Sequence, residues 1–338
     1  MTGYSRRQIF PWALGGAMCL AGRALAATAG IDESGFERIG GIDQWIAIQG
    51  QDRRNPVILY LHGGPSEAQS PFLRQFLPWQ RDFTIVNWDQ RGAGKTFGRN
   101  GTSTPDMTLD RLVEDAAAIA ELVRTRLSQR KVILVGQSWG SFLGVHVIKR
   151  HPELFHGFVG TGLVASFKAT VDDRVAWARQ KAVETGDTAT LEALDKAASL
   201  TKDLDRTNAL GKAAGKYILS AADQPYAKMV HDFLGKPPYP KGDIADYANG
   251  NRFSSDTLGR SLTAMELRPL GLDMPVPFFV VQGRDDHIVG FTPAKSYVEE
   301  IRAPAKAFVP IDGGHYACFT NPDAFVGALR KHVRPLAT

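Results

Sequence analysis

The stretch that most constrains this chain is residues 131–144, K-V-I-L-V-G-Q-S-W-G-S-F-L-G, with Ser138 at its centre. The apolar run Val132, Ile133, Leu134 and Val135 fits a strand buried on both faces, and the residues after Gly140 turn helical. Ser138 therefore falls at a strand-to-helix corner. In a turn this tight, positions 136 and 140 have no room for side chains, which explains the G-x-S-x-G spacing and lifts the Ser138 hydroxyl above the sheet edge. The pentapeptide alone also fits an ordinary glycine-rich turn, so the rest of the chain has to decide.

A chain of 338 residues, 43% hydrophobic and 22% charged, is long enough for one large α/β core with an insertion and too apolar for disorder. Residues 1–26 have the form of an export signal. Arg6 and Arg7 precede an apolar run over residues 10–20, and the small-residue sequence Ala24-Leu25-Ala26 suits cleavage after Ala26. The paired arginines resemble a bacterial twin-arginine signal, which predicts a periplasmic or secreted protein with no stable membrane anchor after processing. The run is too short to span a bilayer.

The formal charge of +5 includes Arg6, Arg7 and Arg23; without them 37 basic residues face 35 acidic ones, leaving +2. No basic stripe interleaved with aromatics is present, which argues against a nucleic-acid partner. Cys19 leaves with the signal, so Cys318 is a lone structural cysteine and no disulfide framework is expected.

Strands are predicted at residues 42–48, alternating and at the sheet edge, and at the continuous apolar runs 56–61 and 83–88. The turn Asp52-Arg53-Arg54-Asn55 is expected to join the first two as a hairpin. A helix follows over residues 109–123, capped by Thr108 or Asp110. After the Ser138 strand and its helix, further strands are predicted at 155–161, 276–282 and 306–311, with a closing helix at 323–333. This alternation predicts a mostly parallel sheet flanked by helices. Residues 164–269 break it with amphipathic helices, including 173–185 and 188–202, and a proline turn at 236–240. They read as an inserted helical cap, leaving 27–163 and 270–338 as the core.

A serine hydroxyl needs a base, and the base needs a group to hold its tautomer. Two loops after predicted strands supply candidates: Gly283-Arg284-Asp285-Asp286, which offers two carboxylates, and Gly313-Gly314-His315. With H-G-G-P at residues 62–65 and W-D-Q-R-G-A-G at 88–94, these motifs make the chain resemble an α/β-hydrolase of the proline iminopeptidase-like group, from about residue 41 to 333. The resemblance implies the α/β-hydrolase fold and a Ser-His-Asp triad. Ser138 would be the nucleophile, His315 the base and then the acid, and Asp286, rather than Asp285, the orienting carboxylate. It also implies an oxyanion hole from the backbone N–H groups of Gly64 and Trp139. The family motif continues H-G-G-P-G, where this chain has Ser66, so the shape of that loop is an open point.

His62 reads as a brace for the oxyanion loop, and Asp89 and Arg91, with Asp115, as scaffold. His287 reads as a loop residue, and His146 and His151 as packing or surface residues. No metal-ligand spacing, phosphate-cradling loop or dinucleotide fingerprint occurs, so neither metal nor organic cofactor is expected. Epoxide hydrolysis and dehalogenation use a carboxylate where this chain has Ser138.

The resemblance implies an aminopeptidase acting on small peptides with proline or another small residue at the amino end. Burying that ammonium requires a carboxylate, and the cap holds Glu184, Glu192, Asp223, Asp232, Asp246 and Glu266. The Trp-Glu pair usual in the group's cap is missing: Ala178 follows Trp177. A carboxylesterase or lactonase with the same machinery is the alternative. A non-catalytic binding protein would have no need of the three triad residues.

Overall fold

The computed structural model describes residues 30–235 and 240–337. The expected export signal and most of the proline turn at 236–240 lie outside the described residues.

Among the described residues eight strands form one sheet: β1 (Ile31–Ile39), β2 (Ile42–Gly50), β3 (Val57–Leu61), β4 (Thr84–Trp88), β5 (Val132–Gln137), β6 (Phe155–Thr161), β7 (Phe278–Gly283) and β8 (Lys306–Ile311). Their order is β1-β2-β4-β3-β5-β6-β7-β8. Strands β4, β3 and β5 to β8 pair in parallel, while β2 runs antiparallel to both of its neighbours, β1 and β4. The chain has the α/β-hydrolase fold.

Two expectations need correction. Strand β2 is not the edge strand and does not form a hairpin with β3. Its hairpin partner is β1, joined through Gly40 and Gly41 with φ of 56° and 82°, the positive-φ pair that a tight two-residue turn requires. On its other side β2 pairs with β4, Ile46 facing Trp88, so the turn after β2 must cross β4 to reach β3. Strand β1 escapes prediction because its sequence, I-D-E-S-G-F-E-R-I, is mostly polar and exposed. Backbone pairing holds it.

The fully buried strands β3 and β5 have helices on both sides. In chain order the helices are α1 (Gly94–Asn100), α2 (Leu109–Arg126), α3 (Trp139–Arg150), α4 (Phe167–Thr185), α5 (Thr188–Ala198), α6 (Asp203–Ala214), α7 (Gln224–Gly235), α8 (Lys241–Thr263), α9 (Phe291–Glu300), α10 (Ala317–Thr320) and α11 (Pro322–His332). One core cluster joins Leu59 and Leu134 to α2, α3 and α9 through Leu112, Leu143 and Val298. A second joins Ile58 and Ile133 to Phe76, Trp79 and the α11 residues Phe325 and Leu329. Thr108 is the cap of α2, its side chain accepting from Arg111 N at 3.1 Å. Helix α4 starts earlier than its amphipathic stretch suggests, because Ser166 caps it by accepting from Ala169 N.

Between β6 and β7 the described residues form helices α4 to α8 with no strand. They are tied to the sheet's carboxyl edge: Thr170 Oγ1 donates to Val289 O at 3.0 Å, Lys95 pairs with Asp243 at 2.7 Å, and Ser254 Oγ donates to Gly92 O at 2.9 Å. That edge is where ligands bind in open parallel sheets.

Candidate active site

Ser138 lies between β5 and α3 with φ of 52° and ψ of −122°. Few side chains tolerate that backbone, and the surroundings enforce it. A Cβ on Gly136 would stand 2.2 Å from Gly140 O, and one on Gly140 would stand 2.0 Å from Leu61 O. Both glycines are therefore steric necessities of the corner. Ser138 N donates to Thr161 O at 3.0 Å, pinning the turn to β6.

Asp286 follows β7 and His315 follows β8, and the order of the sheet brings them into contact. His315 Nδ1 donates to Asp286 Oδ2 at 3.0 Å, with both side chains almost fully buried. Asp286 also accepts from Gln282 Nε2 at 2.7 Å and from the backbone N–H groups of Ile288 and Val289 at 3.0 and 3.1 Å. Burial alone would push this carboxyl up, but the His315 charge and these hydrogen bonds outweigh it and hold the pKa below the usual carboxylate range. For His315, burial opposes protonation, and the charge of Asp286 together with its hydrogen bond outweighs that and raises the pKa. Asp285 is not in this network; its N–H donates to Gly313 O.

Ser138 and His315 line the same cavity, about 250 Å³ in volume. No hydrogen bond joins Ser138 Oγ to His315 among the described residues. Instead Gln137 Nε2 stands 3.2 Å from His315 Nε2. With Nδ1 protonated toward Asp286, Nε2 is an acceptor and the Gln137 amide donates to it. Catalytic hydrogen bonds are commonly completed only once substrate is bound.

Gly64 and Trp139 also line this cavity. Gly64 has φ of 107°, and a Cβ there would stand 2.1 Å from Ser66 N, so only glycine fits. Ser66, where the family motif has glycine, has no positive φ and is buried; a side chain is tolerated there. As the first residue of α3, Trp139 has an amide with no intrahelical partner. His62 braces this loop. Its Nδ1 donates to Gly63 O at 2.8 Å and its Nε2 accepts from Gln90 N at 3.0 Å, while burial lowers its pKa to about 4 and keeps it neutral.

The sequence reading missed Gln90, whose amide donates to His62 O at 2.9 Å and whose oxygen accepts from Trp139 Nε1 at 3.2 Å. It links three motifs. Asp89 is scaffold: Ser70 Oγ donates to it at 2.6 Å and Lys95 N at 2.9 Å, and burial raises its pKa to about 6. Arg91 and Asp115 form a fully buried pair at 2.8 Å.

None of the six acids noted between β6 and β7 lines the cavity. Glu184 bonds Lys181 and Gln180, Glu266 pairs with Arg268, and Lys228 pairs with Asp232. Asp223 is engaged with the loop of His315, its carboxylate accepting from His315 N at 3.0 Å and Tyr316 N at 2.8 Å. Trp177 stacks on His287, ring centroids 3.8 Å apart, and donates to Tyr217 O. Cys318 is buried, and burial raises its thiol pKa far above the reactive range.

The profile of the alpha/beta hydrolase fold family matches residues 56–322, and the chain belongs to that family. It is a hydrolase of the proline iminopeptidase-like group. A "Probable aminopeptidase YbaC" of Bacillus subtilis is 26% identical over 314 residues, spanning 88% of this chain and 94% of the relative. The proline iminopeptidase of Neisseria meningitidis is 36% identical over 134 residues, 38% of this chain and 40% of that enzyme. Among solved structures, the proline iminopeptidase-related protein TTHA1809 from Thermus thermophilus superposes with a TM-score of 0.63 at 19% identity, covering 91% of this chain and 99% of its own.

Proposed function

We propose that this hydrolase is an aminopeptidase releasing proline or another small amino-terminal residue from short peptides, with Ser138, His315 and Asp286 as its triad. The observation that carries the reading is the 3.0 Å His315–Asp286 pair beside a strained Ser138 on one cavity wall, in a chain that matches the "Probable aminopeptidase" relative along 94% of that relative's length.

In this mechanism His315 Nε2 releases the Gln137 amide and takes the Ser138 proton as Oγ attacks the substrate carbonyl. Asp286 stabilises the resulting imidazolium. The N–H groups of Gly64 and Trp139 hold the oxyanion, each worth roughly 3 to 4 kcal/mol in the transition state. His315 then gives its proton to the leaving amine, and a water repeats the cycle on the acyl-enzyme.

The cavity wall is largely apolar, with Val164, Phe167, Leu262, Met265 and Val289, and this favours a second reading, a carboxylesterase or lactonase on small uncharged acyl groups. We also propose export through the paired arginines of the amino terminus, testable by cell fractionation of wild type and an Arg6→Lys/Arg7→Lys variant. The test of function compares purified protein on proline 4-nitroanilide, its amino-blocked form, and 4-nitrophenyl acetate and butyrate. Cleavage of the free amine but not the blocked one supports the aminopeptidase. Turnover of the esters alone supports the esterase. Ser138→Ala abolishes either, and an active Ser138→Ala protein overturns both.

A further inference from the structure

We propose that Glu67 is the carboxylate that receives the substrate's amino group, an assignment that rests on the aminopeptidase reading above. Glu67 lies on the oxyanion loop, three residues past Gly64, and lines the cavity with Ser138 and His315. The position a Cβ would take on Gly63 lies 3.0 Å from Glu67 Oε2 and 3.1 Å from Ser138 Cβ. Carboxylate and nucleophile are thus close neighbours.

That proximity matches the geometry of an amino-terminal residue. Its nitrogen is two covalent bonds, about 2.5 Å, from the carbonyl carbon under attack. A carboxylate that holds the ammonium must therefore stand near the nucleophile, as Glu67 does, whereas none of the six acids noted between β6 and β7 lines the cavity.

The carboxylate is also incompletely partnered. Tyr316 donates its hydroxyl to Oε1 at 3.3 Å, and among the described residues no lysine or arginine pairs with Glu67. The other fixed charge on the cavity wall, Arg174, donates its Nε to Ile288 O. Burial raises the Glu67 pKa, a sign of how poorly the site satisfies its charge. An arriving ammonium brings positive charge and N–H donors to it. A blocked amine brings neither and leaves the carboxylate desolvated without a partner. With the ammonium on Glu67, the adjoining carbonyl is drawn toward Gly64 of the same loop.

The test compares kcat/KM for proline 4-nitroanilide with that for cyclopentanecarboxylic acid 4-nitroanilide, which replaces the ring nitrogen by carbon. Wild type is expected to prefer the amine strongly. In Glu67→Gln that preference falls about 100-fold, and in Glu67→Asp, which keeps the charge on a shorter stem, it lies between the two. A preference that survives in both variants overturns the assignment, as does an equal loss on both substrates in Glu67→Gln, which would mean that Glu67 acts only through the charge on His315. If Glu67→Gln does not fold, Glu67→Asp decides alone: a reduced preference supports the role and an unchanged one refutes it. Wild type without any amine preference instead overturns the aminopeptidase reading itself, and the role of Glu67 with it.

Discussion

Asp223 holds the backbone of His315: its carboxylate, in the helical segment between β6 and β7, accepts the His315 N–H at 3.0 Å across 92 positions of sequence. The same carboxylate takes the Tyr316 N–H at 2.8 Å and the Ser220 hydroxyl at 2.8 Å, and it is fully buried. Gly314 makes the approach possible, since a Cβ there would stand 2.0 Å from Asp223 Oδ2. The helical segment thereby helps to set where the candidate base stands.

Asp223→Ala strands two buried N–H groups and is expected to cost on the order of 2 to 4 kcal/mol of stability. Because a small misplacement of a reacting group is expensive, kcat should fall by about 10 to 100-fold with a smaller change in KM. Urea unfolding and steady-state kinetics check both. A variant with wild-type kcat would show that His315 needs no such tether.

Asp286 and His315 predict a particular pH dependence. The folded pKa of Asp286 is depressed, so its contribution to stability is complete above the ordinary carboxylate pKa and is lost as pH falls through the folded value. That of His315 is raised, so its contribution is complete below the ordinary imidazole pKa of about 6.5 and is lost as pH rises through the folded value. Asp286→Asn removes the pair and should flatten the Tm profile in both windows. The acid limb of kcat/KM, set by the pKa of His315, should move to lower pH as the rate drops by roughly 10³ to 10⁴-fold. An acid limb that stays in place would separate His315 from that titration.

Arg91 and Asp115 have no exposed side-chain surface. The arginine also donates to Pro105 O at 3.0 Å and Gly40 O at 2.7 Å, joining the loop after β4 to the β1–β2 turn. Arg91→Met leaves a buried carboxylate with Gln44 and Arg111 as its remaining partners, at an expected cost of about 3 to 5 kcal/mol. Adding Asp115→Leu should recover part of that loss, because the stranded charge goes with it. Denaturant midpoints of the two variants decide; a double variant less stable than Arg91→Met contradicts this account.

Much of the scaffold was legible because its causes are local. Fully buried parallel strands need continuous apolar runs, and β3, β4 and β5 have them. A corner too tight for side chains needs Gly136 and Gly140, and that spacing, together with the motifs elsewhere in the chain, flags Ser138. The loops after β7 and β8 were marked by glycines beside acids and a histidine, which made Asp285, Asp286 and His315 candidates, and the family resemblance singled out Asp286.

Other features depend on which strands become neighbours. Strand β1 carries almost no hydrophobic pattern and exists because β2 offers it a backbone edge. The partners of β2 follow from a two-glycine turn on one side and β4 on the other, and periodicity is blind to both. Asp223 looked like any other acid on a helix, and its link to His315 appears only once the segment after β6 folds over the sheet's carboxyl edge. Glu67 carried no motif at all. The amino-acid sequence by itself determined the fold class and the chemically capable side chains, since strain, burial and charge act over a few neighbouring residues. Only the tertiary structure decided that Gln137, rather than Ser138, meets His315 Nε2, and that Glu67 shares a cavity with them, because those contacts join segments that approach one another only when the sheet is assembled.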